Sequence, residues 1–139
     1  MASTTFTGAV TSKNGFIAGH QVTTANAINA TATATAAQVA TGYITSTSAA
    51  ATVITLPTGT LLGAALNAVQ GTTFDLLIDN TAGASSVSIV AAVNGILSSA
   101  GVDSAASFGD LTVAAGVTGV GRFTIMFSSA TAYVFTRTA

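Results

Sequence analysis

Apolar and small polar residues alternate with a period of two through much of this chain. In "YITSTS" and "ATVITLP" β-branched residues dominate, and Ile54 and Leu56 fall on one face. The pattern recurs in "TTFDLLIDN", where Phe74, Leu76 and Ile78 share a face, and in "SSVSIVA", where Val87 and Ile89 do. "DLTVAAG" and the terminal pair "GRFTIMFSS" and "TAYVFTR" continue it. Helical signals appear twice. Thr35 followed by Gln38 is a capping box ahead of a short helical turn that Gly42 stops. Thr58 caps a second helix over 58–70, in which Leu61, Leu62, Ala65, Leu66 and Val69 recur at helical spacing before Gly71. Asn94-Gly95 is a hairpin signal. Many short strands, few helices and glycine-rich turns predict an all-β fold, an antiparallel sandwich or barrel with one or two short helices.

The first thirty residues depart from this pattern. Their large apolar residues are few and widely spaced, so residues 1–30 are expected to form an extended N-terminal arm that needs a partner surface, and 31–139 a single β-domain. Asn14-Gly15 marks a turn between two extended stretches of the arm. At the other end, a two-residue turn at Ser129-Ala130 pairs Phe123, Ile125 and Phe127 with Thr136, Val134 and Ala132 as a core face. Arg122, Thr124, Met126, Tyr133, Phe135 and Arg137 then form the opposite face, with Arg122 directly across from Arg137. Such an apolar group needs cover. A neighbouring subunit that brings an aspartate counter-ion would supply it, and so would the 58–70 helix of the same chain.

Charge changes the picture most. The 139 residues include three Lys or Arg and four Asp or Glu, 5% against a usual proportion of about 25%. No formal charge occurs from Asn14 to Phe74. The net charge of −1 gives no basic field for nucleic acid or an anionic membrane. The hydrophobic fraction is 50%, much of it among 29 Ala, and with 25 Thr and few charges the composition is far from that of disorder, which goes with low hydrophobicity and high charge. Cysteine is absent, which removes disulfides and thiolate metal sites. The most apolar windows are interrupted by Pro57, by glycines or by Arg122, so no membrane span is expected. "MASTTFTGAV" lacks the features of a signal peptide, so a cytoplasmic product is expected.

Candidate chemistry is sparse. His20 is the lone histidine and has no second imidazole or thiol to share a metal. Asp75 and Asp79 share a strand face at a spacing of roughly 13 Å, beyond the separation of paired glycosidase carboxylates, and read as solvated groups or arginine partners. Asp103 and Asp110 flank "SAASFG" without calcium-loop spacing. "GVTGVGRF" lacks the order and the lysine of a phosphate loop. No catalytic residue, metal or cofactor is expected, and the chain reads as a structural or binding protein rather than an enzyme.

The order "TAAQVATG", "YITSTSAAATVITLPTGTLL", "FDLLIDNTAGASSVSIVAA", "LTVAAGVTGVGRFTIMF" and "AYVFTR" resembles the β-domains of tailed-bacteriophage head decoration (cement) proteins and related head fibres. The likeness covers about residues 31–137. It implies a jelly-roll-like β-sandwich that forms a homotrimer on the outer capsid surface and clamps neighbouring major capsid proteins. An N-terminal extension touches the shell in such proteins, which points to Phe6, Val10, Lys13 and Phe16 for the capsid contact. Arg122, Met126, Tyr133, Phe135 and Arg137 are the expected trimer interface. A receptor- or carbohydrate-binding fibre module is the alternative, and it should show an exposed aromatic platform. A surface-layer or pilus-like subunit should carry an export signal and polymerise by itself.

Overall fold

The computed structural model describes residues 26–92, 95–97 and 111–138. Its elements run β1 (Ala32–Thr33), α1 (Ala36–Ala40), β2 (Tyr43–Thr45), β3 (Thr52–Thr55), α2 (Gly59–Leu66), β4 (Thr73–Asp79), β5 (Val87–Val90), β6 (Gly95–Leu97), β7 (Thr112–Val113), a 3-10 turn at Gly116–Thr118, β8 (Val120–Ser129) and β9 (Ala132–Arg137). They form two sheets, a four-stranded one in the order β1-β3-β5-β7 and a five-stranded one in the order β2-β4-β8-β9-β6. The fold is mainly β, with two helices among the described residues.

From β1 to β8 each successive strand enters the other sheet. Neighbours within a sheet, β8 and β9 apart, are therefore separated by an excursion through the opposite layer. Four pairings are parallel: β1 with β3, β3 with β5, β2 with β4, and β6 with β9. Three are antiparallel: β4 with β8, β5 with β7, and β8 with β9. The expectation of an antiparallel sheet throughout is corrected accordingly. Gly95 opens β6, which lies beside β9 rather than in a hairpin with β5, and Asn94 lies outside the described residues.

Both sheets close on one core. Ile54, Val87, Ile89 and Val113 come from the four-stranded sheet, and Ile44, Leu76, Ile78, Phe123 and Ile125 from the five-stranded one, all fully buried. The faces read from β3, β4 and β5 are those seen. The Thr35–Gln38 capping box is also present: Thr35 Oγ1 accepts from Gln38 N at 3.1 Å, and Gln38 Oε1 accepts from Thr35 N at 2.8 Å. Gly42, at φ 74°, takes the left-handed conformation that turns the chain into β2.

The second helix is shorter than its apolar spacing predicts. Thr58 caps it, but it ends at Leu66, where Asn67 is left-handed. Its buried side is Gly59, Leu62 and Gly63, while Leu61 and Val69 are 59% and 65% exposed. The reason is close approach: a Cβ on Gly63 would overlap the Ala130 carbonyl oxygen, so the helix packs Gly63 against the β8–β9 turn. Asn26–Ile28, counted with the arm above, belongs to the body. Ile28 N donates to Thr45 O at 2.9 Å and Thr45 N to Asn26 O at 3.0 Å, which extends the five-stranded sheet beyond β2. Asn26 Nδ2 also donates to Gln38 O at 2.8 Å and Tyr43 O at 3.1 Å.

The β8–β9 register is slipped by one residue from the expected one. Phe123 pairs with Arg137, Ile125 with Phe135, and Phe127 with Tyr133, with a bulge between Phe127 and Ser129. The turn is Ala130-Thr131, with Ser129 opposite Ala132. A one-residue slip exchanges the faces of a strand.

Candidate functional site

The slip redistributes the expected interface residues. Tyr133 and Phe135 point into the core, at 0% and 1% exposure. Their rings meet Phe127 and Phe123 at centroid distances of 5.9 Å and 6.5 Å. Tyr133 Oη donates to Pro57 O at 3.0 Å, just ahead of α2, so the cover for this ring comes from the same chain. Burial pushes its phenol up to about 12. Arg137 lies on the same side as Phe123, and its Nη1 donates to Thr112 O at 2.6 Å, which ties β9 to β7 in the other sheet. Arg122 and Met126 are on the opposite, outer face. The five residues do not form one face, and the predicted like-charge contact between the arginines does not arise. Phe6, Val10, Lys13 and Phe16 lie outside the described residues, as do His20, Asp103 and Asp110.

The outer face of the five-stranded sheet gathers most of the chemistry that is described. Four cross-strand rows build it: Thr45–Asp79–Val120, Tyr43–Leu77–Arg122, Asp75–Thr124–Thr136 and Thr73–Met126–Val134. Period-two alternation in β4 sets Asp75, Leu77 and Asp79 outward because Leu76 and Ile78 face the core. Three of the seven charged residues of the chain are on this face, two carboxylates and one guanidinium.

Each of these groups has a structural partner. Arg122 Nη2 donates to Asp75 Oδ2, and Thr124 Oγ1 donates to Asp75 Oδ1 at 2.7 Å. The Asp75–Arg122 pair is about half-exposed, where ion pairs contribute little to stability. Tyr43 Oη donates to Asp79 Oδ2 at 2.7 Å, and Thr81 donates to Asp79 Oδ1 through its N at 3.0 Å and its Oγ1 at 2.7 Å. The Tyr43 hydrogen bond, helped by Thr81, holds the Asp79 carboxyl below the usual carboxylate range. The same hydrogen bond, with some burial and the nearby negative charge, raises the Tyr43 phenol. The expected role of the strand aspartates as arginine partners thus holds for Asp75, whereas Asp79 pairs with a tyrosine.

Sequence reasoning missed Tyr43 and Asn80. Asn80 is fully buried beyond β4, where its Nδ2 donates to Ser85 O and Ala114 O at 2.9 Å each and joins the two sheets. A Cβ on Gly83 would overlap Asn80 Oδ1, so the corner "IDNTAG" needs both residues. An asparagine three residues before a glycine at a strand end was the available signal.

Among the described residues no group of three or more His, Asp or Glu is placed to hold a metal ion. Tyr43 is the one aromatic residue in the paired rows of the outer face, which is less than the platform a glycan-binding surface uses. No described helix is long and apolar enough to cross a membrane. Comparison with protein families, characterised proteins and solved structures finds no match to this chain.

Proposed function

We propose that this chain is a structural subunit of a virus particle: a decoration, or cement, protein that assembles as a homotrimer on the outer surface of a tailed-phage head and clamps neighbouring major capsid proteins. The observation that carries the reading is the kind of surface the body presents. Leu61, Val69 and Val117 are 59%, 65% and 100% exposed, and Val120 and Met126 are nearly half-exposed. The chain carries no charge from Asn14 to Phe74 and none between Arg122 and Arg137. Exposed apolar side chains on a body with so few charges are the kind that contact with other subunits covers.

Two further features support it. The described carboxylates and guanidinium groups are engaged in structural contacts rather than held ready for proton transfer. Residues 26–28 join the sheet beside β2 through an isolated parallel bridge of Ala27 to Thr45, so the preceding 25 residues connect to the body at a sheet edge. In this reading those residues, with Phe6, Val10, Lys13 and Phe16, reach the shell, where backbone pairing supplies affinity and several linked arms add avidity. The two sheets over one core support the reading only as a mainly β body; their four parallel pairings depart from the antiparallel jelly-roll that the resemblance implies.

The test is co-sedimentation of the purified chain with tailed-phage heads assembled from the major capsid protein of the same particle. The full chain should saturate the heads, and a chain lacking residues 1–25 should stay folded but remain in the supernatant. A full chain that ignores such heads at every concentration tried overturns the proposal.

A further inference from the structure

We infer that the side chains of Asn26 and Thr41 form a stop built into the fold, which ends backbone pairing along the open edge of β2 at residue 26 and so fixes where residues 1–25 leave the body. The backbone groups ahead of residue 26 are thereby refused a place on their own sheet and kept for a second surface. The stop stands on its own geometry; only the use of those residues on a phage head rests on the reading above.

The two sides of β2 have different duties. Residues two apart on a strand turn their backbone groups toward the same neighbour. Gly42 O accepts from Leu77 N at 2.8 Å, so Gly42 and Ile44 serve β4. Tyr43 and Thr45 then serve the outer edge. Thr45 spends both of its groups on the incoming chain: its N donates to Asn26 O at 3.0 Å, and its O accepts from Ile28 N at 2.9 Å. That register dictates the next rung of the same parallel ladder. Tyr43 O would accept from the backbone N of residue 26, and Tyr43 N would donate to the backbone O of residue 24.

Side chains fill both positions instead. Tyr43 N donates to Thr41 Oγ1 at 3.3 Å. Tyr43 O accepts from Asn26 Nδ2 at 3.1 Å and lies 3.0 Å from the Thr41 hydroxyl. Asn26 Nδ2 also lies 3.1 Å from Thr41 Oγ1 and donates to Gln38 O, near the end of α1, at 2.8 Å. The left-handed Gly42 turns the chain so that Thr41 folds back over the Tyr43 backbone. Asn26 is buried, so the cluster is packed into the body rather than resting on its surface. An open strand edge invites pairing, and natural sheets refuse it by occupying or covering the edge. Here the refusal leaves Ala27–Thr45 as an isolated bridge, and β2 offers no further rung to the residues ahead of 26.

The experiment is amide hydrogen exchange, read by NMR on the full chain, for the natural sequence, Thr41→Val, Asn26→Leu and the double variant. These changes keep side-chain bulk and remove the polar atoms of the stop; circular dichroism checks that each variant is folded. In the natural chain, protection on this segment should begin at Ile28. In the double variant the Tyr43 backbone groups are open to the ladder, and the amide of residue 26 should gain about tenfold or more in protection, the worth of one net hydrogen bond. Thr41→Ser keeps the hydroxyl and should keep the natural boundary. A folded double variant whose boundary stays at Ile28 overturns the inference. So does a natural chain already protected at residues 24–26, a result that requires no variant to fold. A natural chain that ignores phage heads overturns the proposed function and leaves the exchange boundary to decide the stop.

Discussion

Removing one oxygen atom, in Tyr133→Phe, tests both the β8–β9 register and the packing of α2. Tyr133 is fully buried, its hydroxyl donates to Pro57 O at 3.0 Å, and burial raises its phenol from 10.0 to about 12. A group whose folded pKa is raised contributes stability that is fully present below the unfolded value and lost as pH rises through the folded one. Two pH units at about 1.36 kcal/mol each give a loss of about 2.7 kcal/mol above pH 12, of which about 1.4 kcal/mol is gone by pH 11. The phenylalanine variant has no phenol at this position to ionise, so its alkaline loss should be smaller by that amount. At neutral pH it should be less stable by about 1–2 kcal/mol, because the Pro57 carbonyl loses its donor. Urea unfolding of both proteins at about pH 8 and about pH 11 measures the difference. The chain has two tyrosines, so tyrosinate absorbance separates a partly exposed Tyr43 from a late-titrating Tyr133. If the folded protein releases both phenol protons together near the ordinary value, or if the variant keeps the full alkaline loss, Tyr133 is on a wet face and the pairing of Phe127 with Tyr133 is wrong.

Asn80→Ala should cost about 2–4 kcal/mol in urea unfolding, because the Ser85 and Ala114 carbonyls lose their donor inside the protein; a change below about 1 kcal/mol would deny that Asn80 clamps the sheets. Gly63→Val should destabilise by about 2 kcal/mol or more, since the added atoms collide with the Ala130 carbonyl, whereas Ala64→Val on the exposed side of α2 should stay within about 0.5 kcal/mol. Tyr43→Phe should raise the Asp79 pKa toward the ordinary carboxylate value, read by NMR titration. Because that pKa is depressed in the folded natural chain, the stability it contributes is present above the unfolded pKa and lost as pH falls through the folded one, and the variant should show less of this acid dependence.

The strand faces were legible because burial of one face imposes alternation, and Ile54, Leu56, Leu76, Ile78, Val87 and Ile89 obey it. Alternation states that a strand is half-buried and is silent about which sheet it joins. The winding between sheets, and the choice of parallel or antiparallel neighbours, therefore had no local signature. The capping box was legible because its hydrogen bonds span three residues. The far end of α2 was not, because its packing side is set by Gly63, which lets the backbone approach Ala130, and an apolar count ignores glycine. The β8–β9 hairpin failed for a related reason. Both strands alternate cleanly, and a two-residue turn at Ser129-Ala130 differs by one position from the observed Ala130-Thr131. That one position decides whether Tyr133 and Phe135 are a surface or a core. The aromatic residues themselves held the better clue: with no Trp, seven Phe and two Tyr in the whole chain, a core of this size has few other large rings to bury.

Where the charges sit follows from the same scarcity. Two sheets that share one core leave two outer faces, and the described charged residues avoid that of the four-stranded sheet. There Val53, Ser88 and Thr112 form one row, closed by a 3.0 Å hydroxyl contact between Ser88 and Thr112. Hydroxyls hydrate such a face at little cost and tie neighbouring strands without fixing a long charged side chain in place. The outer face of the five-stranded sheet is different, since Asp75, Asp79 and Arg122 cluster there around Leu77. Charges spread for solubility alone would be shared between both faces and the helices. Among the described residues, Asp75, Asp79 and Arg122 share that one face, and the partner that each group has there fixes the direction and spacing of the acids.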